Sequence, residues 1–276
     1  MRYQPVTPSV RDLVVVRADD GEITHEHEKV PLVAVAHGSR DPRAAATVEA
    51  LLDAVRRRRP ALPVVGCYLD HATPDPLRAL GRLAAEGADA AVVLPLLLTA
   101  AYHSKIDIPG VLTEACTRHP RLRLRTAATL GPHPLMLTAL ERRLATPETG
   151  VEAGDPSTAV VLVSAGSSDP AANAVIDGMA RQWRRRGWWD VAAAYASAAR
   201  PTPAEAVRSL REAGAPRVVV ASYFLAPGHF ADKVRAEALA AGATAVSPVL
   251  GAAPELTDIV LQRYDEALSA TAVATG

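Results

Sequence analysis

Apolar residues in this chain gather into short unbroken runs, and between the runs they recur every three or four positions. The runs at 31–36, 63–69, 90–97 and 122–127 predict strands, and the periodic stretches at 42–59, 75–87, 106–118 and 133–144 predict helices. The alternation then repeats. Strands are expected near 159–164, 190–195, 217–224 and 244–248, and helices near 170–186, 202–213, 230–241 and 254–268. Continuous apolar strands mark sheets buried on both faces. Strand–helix alternation predicts parallel pairing through crossover helices. The expected fold class is α/β, with four-stranded parallel sheets covered by helices on both faces.

The pattern repeats in its residues as well. Leu32-Val-Ala-Val-Ala-His37-Gly-Ser-Arg-Asp41-Pro42 parallels Val161-Leu-Val-Ser-Ala165-Gly-Ser-Ser-Asp169-Pro170, about 128 positions later. Tyr68, Pro74 and Pro76 correspond to Tyr195, Pro201 and Pro203, and His103 corresponds to His229. A period this long predicts a duplicated domain and not a solenoid. The expected boundaries are a polar extension over 1–29, a first domain over 30–146, a linker over 147–157, a second domain over 158–268 and a tail over 269–276. The segment from Pro147 to Pro156 is rich in Glu, Gly, Asp and Pro, as a linker should be.

Composition narrows the function. Lys+Arg and Asp+Glu stand at 30 each, so no overall basic charge draws the chain to nucleic acid or anionic lipid. The longest largely apolar run, Ala90 to Tyr102, is too short for a bilayer and is broken by Pro95. The N-terminal stretch has no long apolar region of the signal-peptide kind. A cytoplasmic protein is expected. Cys67 and Cys116 fit neither a disulfide framework nor a CxxC site and read as buried thiols in a reducing compartment. No GxxxxGK[ST] motif is present, and no GxGxxG follows a strand.

In open parallel sheets ligands bind beyond the carboxyl ends of the strands. In the first half, His37 follows strand one, Asp70 and His71 follow strand two, and His103 lies in the loop after strand three. Two imidazoles and a carboxylate suit a borderline divalent metal, and they also take protons near neutral pH. Asp70 reads equally well as the cap of a helix starting near Pro74. His71, His119 and His133 read as surface or turn residues, and Thr24-His25-Glu-His27-Glu28 as a solvated tail. Arg56–Arg59 and Arg184–Arg186 end long helices, where cations offset the macrodipole. The second half keeps His229 alone, with Ala165 in place of His37 and Ser197 in place of Asp70. One site is therefore expected, with the second half as the opposite wall of a cleft.

Val35-Ala-His37-Gly-Ser-Arg-Asp-Pro-Arg43, together with Leu94-Pro-Leu-Leu-Leu-Thr-Ala-Ala-Tyr-His103-Ser-Lys-Ile-Asp-Ile-Pro109, resembles the sirohydrochlorin chelatases of the CbiX and SirB group. These are class II tetrapyrrole chelatases with a ferrochelatase-like fold. The resemblance runs from Pro31 to about Leu268. It implies ATP-independent insertion of a divalent metal, iron or cobalt, into sirohydrochlorin, for siroheme or cobalamin synthesis. It implies no organic cofactor; the metal is a substrate. It places the macrocycle in a cleft between two lobes, with His37 and His103 handling the metal. Asp70 stands nearest to the glutamate that the family often carries after strand two. The macrocycle bears eight carboxylates, for which Arg40, Arg43, Lys105, Arg200, His229 and Lys233 are candidate partners. The expected partners are thus sirohydrochlorin and a divalent metal, in a monomer whose duplication supplies both walls. The other reading is a non-catalytic tetrapyrrole or metal carrier of the same fold.

Overall fold

A computed structural model describes residues 30–99, 107–146 and 149–270. The first half runs β1 (Leu32–Ala36), α1 (Pro42–Arg58), β2 (Val64–Tyr68), α2 (Pro76–Ala85), β3 (Ala90–Pro95), α3 (Ile108–Arg118), β4 (Arg123–Thr126) and α4 (Leu135–Leu144). The second half repeats it as β5 (Thr158–Ser164), α5 (Pro170–Arg184), β6 (Asp190–Tyr195), α6 (Pro203–Glu212), β7 (Arg217–Ser222), α7 (His229–Ala240), β8 (Ala245–Val246) and α8 (Pro254–Ser269). Two four-stranded sheets result, ordered β2-β1-β3-β4 and β6-β5-β7-β8, and every pair is parallel.

Four helices start on one device, a capping side chain followed by proline in the first turn, where the missing N–H costs nothing. Asp41, Asp75, Asp169 and Thr202 accept backbone N–H bonds at the starts of α1, α2, α5 and α6. The cap of α2 is Asp75, so Asp70 is not the helix cap that its position also suggested. Strand periodicity explains the unbroken apolar runs. Leu32 and Ala34 of β1 and Val92 and Leu94 of β3 face an inner core, whereas Val33, Val35, Ala91 and Val93 face the outer layer that includes α2 and α3. Cys67 is buried in that outer layer, where burial pushes its thiol up to about 12. Cys116 is exposed, which corrects the expectation that both thiols are buried.

The inner faces of the two sheets share one core, and helices exchanged between the halves build it. α8, the last helix of the second half, packs on β3 and β4 of the first sheet and against α1 and α4. α4, the last helix of the first half, packs on β7 of the second. Polar contacts fix the exchange. The hydroxyl of Tyr264 on α8 donates to the Val30 carbonyl at 2.7 Å, and Arg59 pairs with Asp265 at 2.6 Å and lies over the Tyr264 ring. Arg142 pairs with the buried Glu255. Glu141 of α4 accepts from Trp183 Nε1 of α5 at 2.9 Å and pairs with Arg186. Thus Arg59 and Arg186 join the halves in addition to lying near helix ends. His133, which read as a surface or turn residue, is half-buried at the same seam. It contacts Gln262 of α8 at 3.1 Å, and burial with the nearby Arg263 lowers its pKa.

Because the core is shared, the halves should unfold as one. Leu51 of α1 is fully buried, and Leu51→Ala should cost about 2–5 kcal/mol through the cavity it leaves. All three tryptophans, Trp183, Trp188 and Trp189, lie in the second half. In urea titrations the Leu51→Ala variant should therefore lower the midpoint seen by tryptophan fluorescence as much as that seen by circular dichroism.

Candidate active site

With sheet order β2-β1-β3-β4, the chain leaves β1 toward one side and returns to β3 on the other. The crevice at such a switch point is where open parallel sheets hold ligands. Here the carboxyl ends of β1 and β3 face those of β5 and β7 across a cavity of about 780 Å³, at the upper end of the usual range for small-molecule sites. His37, Gly38, Ser39, Arg40 and His71 line the first wall, with Leu96, Leu97, Leu98 and Thr99 beneath them. Ala165, Gly166, Ser167 and Ser197 line the second wall, with the segment from Tyr223 to Ala231. The cleft is thus mostly apolar, with its imidazoles at the strand ends.

The loops after β1 and β2 touch. The Asp70 N–H donates to the His37 carbonyl at 2.9 Å. Gly38 has φ of +93°, and a Cβ there would meet the Asp70 carbonyl oxygen at 1.7 Å. Only glycine lets the loops approach so closely. His71 lies next along this turn with φ of 60°, an uncommon conformation for a side-chain-bearing residue. It lines the cleft, which goes beyond the surface or turn role its sequence suggested. Asp70 accepts the His71 N–H at 2.9 Å and stands 3.2 Å from His71 Nε2. The carboxylate is therefore placed to orient the His71 imidazole. His37 Nδ1 lies 3.2 Å from the Gly38 carbonyl oxygen, which favours the Nδ1–H tautomer and leaves Nε2 as the acceptor. His103 and Lys105 lie outside the described residues. Among the described residues no group of three or more His, Cys, Asp or Glu side chains is assembled to hold a metal ion.

The second half reproduces this backbone with other chemistry. Gly166 has φ of +81° and packs against the Ser197 carbonyl, and Ala198 repeats the left-handed turn at φ of 58°. The Ser197 hydroxyl donates to the Ala165 carbonyl at 3.0 Å. Asn173 closes the loop by accepting from the Ser167 N–H and donating to the Ser167 carbonyl. His229, the first residue of α7, faces the cleft with its ring centroid 5.7 Å from that of the exposed Phe230.

The candidate cations separate into groups. Arg40 lines the cleft. Arg43 bonds both Asp41 and Asp232, and its guanidinium holds the Asp41 carboxyl below its usual range. Lys233 stands 3.8 Å from Glu237 one turn along α7. Arg200 pairs with Glu205 in a shallow depression over β6 and α6, away from the cleft.

Sequence reasoning passed over Tyr223 and Phe230. Tyr223, at the end of β7, is buried, and burial pushes its phenol well above the usual range. Its hydroxyl donates to the Leu98 carbonyl at 3.0 Å, which ties the second sheet to the segment leading toward His103. Gly131 sits against the same pair; a Cβ there would lie 2.3 Å from the Leu98 carbonyl oxygen and 2.4 Å from the Tyr223 hydroxyl. The single sequence hint was an aromatic residue ending an otherwise aliphatic strand.

A duplicated α/β architecture with a ligand cleft between two switch points is what fold and site define together. The family comparison specifies it further: the chain belongs to the CbiX family, whose model matches residues 31–146 and again residues 159–267. The sirohydrochlorin cobaltochelatase of Priestia megaterium is 30% identical over 208 residues, which cover 73% of this chain and 66% of that protein. The sirohydrochlorin ferrochelatase of the same organism is 27% identical over 204 residues, covering 74% and 76%. Among solved structures, SirB from Bacillus subtilis with Fe3+ superposes with a TM-score of 0.77 at 24% identity, covering 87% of this chain and 96% of that one, a likeness of fold.

The two tight glycines give a prediction free of any assumption about function. Gly38→Ala and Gly166→Ala should each cost at least the ~1–3 kcal/mol of an overpacked site, because neither carbonyl contact can open without moving a strand end. Urea titration of the two variants should show similar losses.

Proposed function

We propose that the protein is a chelatase that inserts a divalent metal, iron or cobalt, into sirohydrochlorin without a nucleotide cofactor. The observation that carries this reading is the cleft itself, in which the strand ends bearing His37 and His71 face the strand ends of the duplicate sheet, where Ala165 and Ser197 stand in place of His37 and Asp70. Membership of the CbiX family supports it, as do relatives named for both metals.

The macrocycle lies in the cleft with its conjugated face against the Leu96–Leu98 segment, Phe224 and Leu225. Its peripheral carboxylates reach Arg40 and Arg43 at the first wall and His229 at the second. Arg200, Lys105 and Lys233 are further candidates outside the described cleft lining. As the dication enters, the ring gives up two pyrrole N–H protons, so charge balances. Peripheral binding that bends the ring exposes the inward nitrogen lone pairs to the arriving ion. His37 and His103 deliver the metal or take the protons, and Asp70 orients a neighbouring imidazole. Intrinsic affinity at such a site rises from Fe²⁺ to Co²⁺, so availability decides the ion used. One chain supplies both walls, which fits a monomer.

The test follows the absorbance of sirohydrochlorin with Fe²⁺ or Co²⁺, with and without protein, after subtracting non-enzymatic insertion. Multiple turnovers are expected. His37→Ala and His103→Ala should each slow insertion at least about 100-fold, the scale of losing a proton-transfer group, while His229→Ala keeps most of the rate. The double variant should be only marginally slower than the worse single one, since groups acting as one unit do not add. Fully additive losses would show that the two imidazoles serve separate steps.

A further inference from the structure

Arg43 and Asp232 join the halves at the rim of the cleft. Arg43 Nη2 lies 2.6 Å from Asp41 Oδ2 and 2.5 Å from Asp232 Oδ2. Asp41 caps α1 beside His37-Gly38-Ser39-Arg40, and Asp232 sits in the first turn of α7, one turn beyond His229. Their chain neighbours Arg40, Ala44 and Ala231 line the cleft. One guanidinium is thus shared by two carboxylates from opposite walls. Arg43 and Asp232 remain 55% and 57% exposed, so water screens the pair and little stability rests on it. Asp41 is committed, because it also accepts the Arg43 backbone N–H at 2.9 Å. For Asp232 no second partner of this kind anchors the carboxylate among the described residues.

Resting on the chelatase reading, we propose that Asp232 is a stand-in for a substrate carboxylate: it occupies Arg43 in the empty cleft and is displaced when a peripheral carboxylate of sirohydrochlorin arrives. Substrate acids then exchange with a protein acid already in place, and Asp232 sets a threshold against molecules carrying too few carboxylates to compete for Arg43. The duplication is uninformative about such a role, since the counterparts of Arg43 and Asp232 in the other halves are Ala171 and Ile106.

The prediction is opposite in sign for the two partners. Titrating sirohydrochlorin into metal-free protein and following its absorbance, Asp232→Asn should tighten binding about three- to tenfold at low ionic strength. Arg43→Gln should weaken it about tenfold. The gain in Asp232→Asn should shrink as salt screens the exposed charges. Glu114→Gln on the outer helix α3 removes the same charge far from the rim and should leave binding unchanged. A purely structural latch predicts instead that both rim variants lower the melting temperature and weaken binding alike. Asp232→Asn binding no tighter than the unaltered protein, Arg43→Gln binding as well as it, or Glu114→Gln tightening equally would each overturn the proposal. If the unaltered protein itself fails to bind sirohydrochlorin, the chelatase reading fails instead, and the two failures are told apart in the same titration.

Discussion

A parallel sheet buried on both faces needs two helical layers, and neither half of this chain covers its own sheet completely. The missing cover comes from the other half. α8 lies on β3 and β4, and α4 lies on β7, so the inner faces of both sheets join in one apolar core. That exchange fixes the distance between the two sets of strand ends. A cleft held in this way keeps its shape without a ligand, because opening it would strip apolar surface from α8 and α4. The ion pairs at the seam, Arg59 with Asp265 and Arg142 with Glu255, set the register of helices that the core already holds.

Within that frame the two walls keep the same backbone and carry different chemistry. Both halves bring the loops after their first two strands together through a left-handed glycine, and both place the residue after the contacted carbonyl, His71 or Ala198, at positive φ. In the first half those positions expose His37, Asp70 and His71. In the second half Ala165, Ser197 and Ala198 occupy them, and the Ser197 hydroxyl and the Asn173 amide consume the local backbone groups. The left-handed turn costs conformational energy in both halves. Its persistence at Ala198, which has no polar side chain, shows that the turn serves loop packing first, with the His71 imidazole added to it in the first half.

Electrostatics follows the same division. The inner cleft is largely apolar, and charge concentrates at the rim in exposed pairs such as Arg43 with Asp41 and Asp232. Such pairs are cheap to rearrange. An apolar floor with exchangeable charges at its edge suits a flat conjugated ring with acidic periphery better than a compact polar metabolite.

The sequence alone determined the α/β class, the duplication, the parallel pairing and the placement of His37 and Asp70 at strand ends, because these depend on short-range periodicity and on one repeated motif. The helix starts expected near 42 and 170 agree with α1 and α5, which begin at Pro42 and Pro170. Tertiary structure decided the rest. Which half covers which sheet depends on packing between residues more than a hundred positions apart, such as Tyr264 with Val30 and Arg59 with Asp265. His71 read as a surface or turn residue because nothing in its neighbours encodes the contact between two loops that sets this turn against the cleft. Arg43 looked like a free cation because Asp232 is 189 positions away. Periodicity reports which face of an element is buried, but it carries no information about what buries it, and the site is made where those separate surfaces meet.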